Sequence, residues 1–341
     1  MPDILPTDVQ LRRFVNDLNA SVDFDPEPFE GCENIILCGM GGSAISGDVV
    51  SDCCFTGSQV PIRVVKFPRI PRWAGPSTLA VLSSYSGNTI ETVEMYNDAR
   101  KAGCKICVIT SGGIMRRKAE ENGDILILLP DDMHPRHSVG LMIGYTLSLV
   151  RAAGGPDLSD EIHAIVPGLR EFRASMEDRS ESGLAWRMAG RFLETVPVIC
   201  ADSSMKSVVL RWKTQINENS KHVAFCGTLP DSKACIDESV DLYGKENLLL
   251  TLLSGTDDAM CTGTSFVEDL ASELYEGGRE FEYVKLDGSS TLDNLFRALI
   301  LGDYISLYMA EMREIDSAEV KPIRRLKSKI RSMPSNTEGA S

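Results

Sequence analysis

Five short apolar runs alternate with helix-period segments over roughly the first 150 residues, and this alternation restricts the fold more than any single motif does. The runs are Asn34–Cys38, Ile62–Val65, Leu79–Leu82, Lys105–Ile109 and Ile125–Leu129. Each has the length of a buried strand. Between two of them, Val93, Tyr96 and Ala99 share one helical face before the chain stops at Gly103. Ahead of the first run, Leu11, Phe14, Val15 and Leu18 line a face of a helix that Thr7 can cap. Strands joined through helices run parallel, because the crossover returns the chain to the same end of the sheet. The expected fold is α/β, a parallel sheet flanked by helices, with ligands at the C-terminal strand ends.

The same pattern then recurs. An apolar helix over Gly140–Ala153 runs into Gly154-Gly155-Pro156-Asp157, a helix-breaking cluster that puts a domain boundary between 153 and 154. Beyond it, strands are expected at Val196–Cys200, His222–Cys226, Leu248–Leu253 and Phe281–Lys285, with no residue-level repeat of the first half. Residues 1–153 and 154–332 are therefore expected as two α/β subdomains, and 333–341 has the composition of a disordered tail. Leu292–Met312 reads as a core or dimer helix.

Charge and composition exclude several classes of partner. A formal net charge of −14 argues against nucleic acid or an anionic membrane surface, both of which bind basic faces. No leader opens the chain and no apolar run reaches the roughly 18 residues of a membrane helix, so a soluble cytoplasmic protein is expected. Ten cysteines at irregular spacing read as reduced thiols, and Cys104-Lys105-Ile106-Cys107 opens a strand instead of a helix, which disfavours a redox pair. His134, His137, His163 and His222 show no metal-ligand spacing, and no metal is expected.

Two strand-to-helix turns carry the strongest chemical signal. Ser83-Ser84-Tyr85-Ser86-Gly87-Asn88-Thr89-Ile90-Glu91-Thr92 sets short neutral donors where free backbone N–H groups and the helix dipole favour an anion. It contains no Lys or Arg, unlike a P-loop, and suits one phosphate on a small molecule. Read without a ligand, Asn88 and Glu91 form an ordinary capping box and the serines satisfy a turn. The second turn, Gly39-Met40-Gly41-Gly42-Ser43-Ala44-Ile45-Ser46-Gly47-Asp48, contains a formal G-x-G-x-x-A. A dinucleotide site would need a carboxylate at the end of the next strand, but Ile62-Arg63-Val64-Val65 ends in Lys66. A dinucleotide oxidoreductase is thereby disfavoured, and Gly42 and Ser43 are left to share an anion site with the serine loop.

Two further residues could carry a reaction. Arg136, in Pro130–Gly140, is the first strong cation near the C-terminal edge of the sheet and could neutralise a developing oxyanion, its plainer reading being a surface ion pair. Glu218 lies in Trp212-Lys213-Thr214-Gln215-Ile216-Asn217-Glu218-Asn219-Ser220-Lys221, between two asparagines and two lysines, where a carboxylate can be held to carry a proton. On residue chemistry alone a structural or surface role for Glu218 outweighs the catalytic one.

Taken together, GMGGSAISGD (Gly39–Asp48), SSYSGNT-x-ET (Ser83–Thr92), PR-x-S (Pro135–Ser138), WK-x-Q-x-NENSK (Trp212–Lys221) and LGD (Leu301–Asp303) with Leu326-Lys327 resemble the bifunctional phosphoglucose/phosphomannose isomerases. These have the sugar isomerase (SIS) fold. The resemblance implies two SIS-type subdomains, the N-terminal one with the phosphate-binding loops and the C-terminal one with the catalytic glutamate. It implies a cytoplasmic homodimer that interconverts fructose 6-phosphate with glucose 6-phosphate and mannose 6-phosphate, without metal or other cofactor. By motif, Gly42, Ser43, Ser84, Ser86 and Thr89 would bind the phosphate, Arg136 would face the enediolate, Glu218 would be the base and Lys327 the active-site lysine. One departure stands out: the family's ring-opening histidine is replaced near Ala234, in Gly227–Glu238. His222 and His137 are the nearby substitutes, the first otherwise opening a strand and the second facing solvent. A catalytically impaired sugar-phosphate-binding relative is the alternative reading.

Overall fold

The computed structural model describes residues 4–239, 247–255 and 266–319. The first half runs α1 (Thr7–Ser21), β1 (Asn34–Gly39), α2 (Gly42–Cys54), β2 (Ile62–Val65), β3 (Thr78–Ser83), α3 (Ile90–Ala102), β4 (Lys105–Thr110), α4 (Gly113–Asn122), β5 (Ile125–Leu128) and α5 (Val139–Ala152). The second half runs α6 (Ser159–Ser175), α7 (Leu184–Glu194), β6 (Val196–Asp202), α8 (Lys206–Asn219), β7 (Phe225–Leu229), α9 (Lys233–Ser239), β8 (Leu248–Ser254), α10 (Phe266–Glu276), β9 (Glu282–Lys285) and α11 (Thr291–Met312).

Each half builds one parallel sheet. The first has the order β2-β1-β3-β4-β5 and the second β7-β6-β8-β9. In the first sheet the chain leaves β1 toward β2 and then crosses back to β3, so the order reverses between β1 and β3. Such a switch point opens a crevice at the C-terminal strand ends, where open α/β sheets bind ligands. The register pairs Gly39 with Ser83, which sets the glycine-rich turn and the serine loop side by side.

The apolar runs account for the strands, since β1, β3 and β4 are buried along almost their whole length. One boundary differs. His222–Cys226 reads as a strand, yet β7 begins at Phe225, because the chain ahead of it finishes α8 instead. His222 donates its backbone N–H to the Ile216 carbonyl, and Lys221 adopts a positive φ of 56° to make that turn.

One apolar cluster joins the halves. It contains Leu37 and Ile109 of the first sheet and Ile199 and Leu253 of the second, together with faces of α1, α5, α8 and α11. Trp212 of α8 is fully buried in it and donates its indole N–H to the Ala298 carbonyl at 2.8 Å. Gly302 makes this possible, because a Cβ there would fall 2.3 Å from the indole. No described helix is long and apolar enough to cross a membrane.

Candidate active site

The switch point is built by two loops tied to each other. Gly41 turns the chain with a φ of 53°, and Gly42 and Ser43 open α2 directly after it. The buried Ser43 hydroxyl accepts the Tyr85 backbone N–H at 3.2 Å, a bond from the first loop to the second. In the second loop the Ser84 hydroxyl donates to the Thr89 hydroxyl oxygen at 3.1 Å, while Ser86 is exposed. Gly87, at a φ of 63°, presses so close to the next loop that a Cβ would lie 1.7 Å from the Gly112 carbonyl oxygen. The N-termini of α2 and α3 thus open on one edge beside several short hydroxyls, a setting that favours an anion.

The capping box suggested by Asn88 and Glu91 does not form. Thr89 is the N-cap of α3 and makes no side-chain cap. Asn88 spans two loops instead, donating to the Ser86 carbonyl and accepting the Ile114 N–H at the start of α4. Similarly, Lys66 at the end of β2 pairs with Asp48 of α2 at 2.5 Å.

Arg136 is not a surface residue. Its side chain is 7% exposed, and its Nη1 lies 3.5 Å from the Glu218 Oε2, whose side chain is 36% exposed. Nη2 donates to the Ser317 carbonyl at 2.6 Å. Burial lowers the Arg136 pKa from its ordinary value, with Glu218 pulling the other way. The backbone of Arg136 also abuts the glycine turn, since a Cβ on Gly42 would sit 3.2 Å from the Arg136 Cα. Gly42, Arg136 and Glu218 therefore form a continuous line from the anion edge of the first half to the end of α8 in the second.

The flanks of Glu218 have structural work that periodicity could not foretell. Asn217 donates to the His222 carbonyl and the buried Asn219 to the Ser306 hydroxyl, which fixes the last turn of α8 around the glutamate. The Lys221 ammonium donates to the Glu218 backbone carbonyl, and burial followed by the Arg136 charge pushes its pKa down. Arg211, Gln215 and Asp303 meet beneath Arg136, a grouping that local sequence does not reveal. Asp303 was visible only as the end of the Leu-Gly-Asp motif, because the ion pair it makes is between helices far apart in sequence.

Neither histidine behaves as expected. His137 does not face solvent: it is 2% exposed, both ring nitrogens lack a hydrogen-bond partner, and burial beside Arg136 and Arg211 drives its pKa well down. His222 does not open a strand, and its Nε2 bonds the Thr195 carbonyl at 2.8 Å. The replaced histidine position, Ala234, falls on α9. Lys327 lies outside the described residues. Cys104 and Cys107 are unbridged thiols whose pKa burial raises, and among the described residues no group of three His, Cys, Asp or Glu is arranged to hold a metal.

Known proteins share both the sequence and this architecture. Residues 181–330 match the family described as "Bacterial phospho-glucose isomerase C-terminal SIS domain". The bifunctional phosphoglucose/phosphomannose isomerase of Caldicellulosiruptor bescii is 31% identical over 314 residues, covering 88% of this chain and 90% of its own. Among solved structures, a hypothetical protein from Thermus thermophilus superposes with a TM-score of 0.74 at 17% identity, over 95% of this chain and 90% of that one. The tagatose-6-phosphate ketose/aldose isomerase of Escherichia coli gives a TM-score of 0.70 at 17% identity, over 90% and 92%.

Proposed function

The chain belongs to the bifunctional phosphoglucose/phosphomannose isomerase family, and we propose that it is an aldose–ketose isomerase that interconverts fructose 6-phosphate with glucose 6-phosphate and mannose 6-phosphate. The phosphate docks on the amides and hydroxyls of Gly42, Ser43, Ser84, Ser86 and Thr89, with the N-terminal dipoles of α2 and α3 behind them. Glu218 takes the proton from C2 of the aldose, and the electron pair left behind moves onto the C1 carbonyl oxygen to give an enediolate. Arg136 stabilises that developing oxyanion. Glu218 then returns the proton to C1 while the C2 hydroxyl proton passes to O1, which leaves the ketose. One carboxylate suffices because the two carbons are neighbours. The enediolate is planar at C2, so a turn about the C2–C3 bond presents its other face to Glu218, and reprotonation then gives the glucose or the mannose configuration.

The observation that carries this reading is the 3.5 Å pair between Arg136 and Glu218, made between the two halves and against the Gly42 turn. A carboxylate so placed has a cation at hand for the charge its own proton transfer creates. A homodimeric state and a cytoplasmic site of action belong to the same proposal.

The test is to incubate the protein with fructose 6-phosphate and identify the products; glucose 6-phosphate and mannose 6-phosphate are expected. Ala234 favours a second reading, a relative that binds sugar phosphates without turning them over. Binding of fructose 6-phosphate with no product, and turnover gained by Ala234→His, would identify a protein limited by ring opening.

A further inference from the structure

The buried pair beneath Arg136 has no place in the mechanism so far. Arg211 of α8 and Asp303 of α11 are 2% and 5% exposed, and the Arg211 Nη2 donates to the Asp303 Oδ2 at 2.7 Å. Two ions withdrawn from water in this way seldom stabilise a fold more than well-packed apolar residues of the same volume would. Packing alone therefore gives little reason for them.

Their other contacts supply one. The same Nη2 of Arg211 donates to the backbone carbonyl of Arg136 at 2.9 Å. Asp303 uses its second oxygen to accept from the Gln215 Nε2 at 3.2 Å. Arg211, Gln215 and Glu218 are spaced i, i+4 and i+7 on α8, so they share one helical face. Arg136 is consequently held at both ends, its carbonyl by Arg211 and its guanidinium by the Ser317 carbonyl. Asp303 fixes the guanidinium that makes the first of these contacts and, through Gln215, the helix face that carries Glu218.

We propose that Arg211 and Asp303 are positioning residues that set Arg136 against Glu218, and through the backbone of Arg136 keep that pair in register with the Gly42 turn. The inference rests on the isomerase reading for its kinetic consequence. Both contacts are made by Nη2, the far end of the side chain. Lysine keeps the charge, but its ammonium ends about one bond short of that position and cannot hold both acceptors in the same geometry.

The experiment is a double-mutant cycle. Arg211→Lys should lower kcat by about ten- to a hundredfold, the scale of a misplaced reacting group, and change KM much less. In an Arg136→Met background the same substitution should cost several-fold less, because the guanidinium it positions is gone. A wild-type kcat for Arg211→Lys, or a loss repeated in full in the Arg136→Met background, overturns the proposal. If Arg211→Lys does not fold, Asp303→Asn, which keeps an acceptor of the same shape, is put through the same cycle with the same criteria. A crystal structure of the folded variant reads the inference without any assay: Arg136 displaced from Glu218 upholds it, and an undisturbed pair overturns it. Should the wild type turn over no hexose phosphate, the isomerase reading alone fails, and the crystal structure still decides the positioning.

Discussion

Glu218 has one side against a buried guanidinium and another open to solvent, the surroundings a proton carrier needs if substrate is to reach it. Glu218→Gln keeps the size and the hydrogen-bonding shape but cannot accept the carbon-bound proton. We expect kcat to fall by about 10²- to 10⁴-fold, the usual worth of a general base, with fructose 6-phosphate affinity little changed in a titration. Ser84→Ala with Thr89→Ala should do the reverse, weakening the phosphosugar while leaving an unphosphorylated hexose unaffected. Equal rates for Glu218→Gln and the wild type would remove Glu218 from the mechanism. The sequence singles these residues out as candidates, since hydroxyl-rich turns and an Asn-Glu-Asn segment are uncommon compositions. Their environment was not: a local pattern cannot tell that Arg136 is buried or that His137 is enclosed beside it, because both facts depend on segments far along the chain.

At the scale of elements, apolar runs marked every strand to within a few residues, and the one large discrepancy lies at the start of β7, where Val223 and Ala224 are apolar letters in a helix exit. The contact between α2 and α8 was invisible. Asp52, in the last turn of α2, accepts the Ser207 N–H at 2.7 Å and so caps the start of α8, the helix whose far end bears Glu218. Burial, opposed by the bond from the Ser207 N–H, raises the Asp52 pKa to about 6. The folded protein therefore holds the Asp52 proton more tightly than the unfolded chain does. Protonation of Asp52 favours the folded state fully below the ordinary aspartate value, and that contribution disappears as pH rises through about 6. Asp52→Asn mimics the protonated form and retains an acceptor for Ser207. It should be more stable than the wild type at pH 8, by up to about 2–3 kcal/mol, and the difference should shrink toward zero near pH 4. Denaturant midpoints at the two pH values measure this, and a difference that grows as pH falls would contradict it.

For the whole molecule, two parallel sheets read from sequence as two units, and periodicity, which reports which residues are buried but not against what, says nothing of how the units meet. Among the described residues one apolar cluster spans from Leu37 of the first half to Leu253 of the second, and two smaller ones lie within one half each. α1 of the first half lies against α6 and α11 of the second, and α2 lies against α8. Polar bonds follow the same route, from Asp52 to Ser207 and from Arg211 to Arg136. A half separated from the other would expose the apolar faces of these helices to water, at about 25 cal/mol for each Å² uncovered. Neither half should then hold its fold alone. The full chain is expected to melt in one calorimetric transition, with equal calorimetric and van't Hoff enthalpies. The segment 1–153 expressed alone should lack a cooperative transition. Two resolved transitions, or a cooperatively folded 1–153 segment, would instead make the halves independent and leave the Arg136–Glu218 pair to form only when they dock. In that case the alignment of base and anion site would depend on how often the halves meet, and turnover would fall with conditions that weaken docking while each half stayed folded. A single transition removes that possibility, because the pair then persists for as long as the protein is folded.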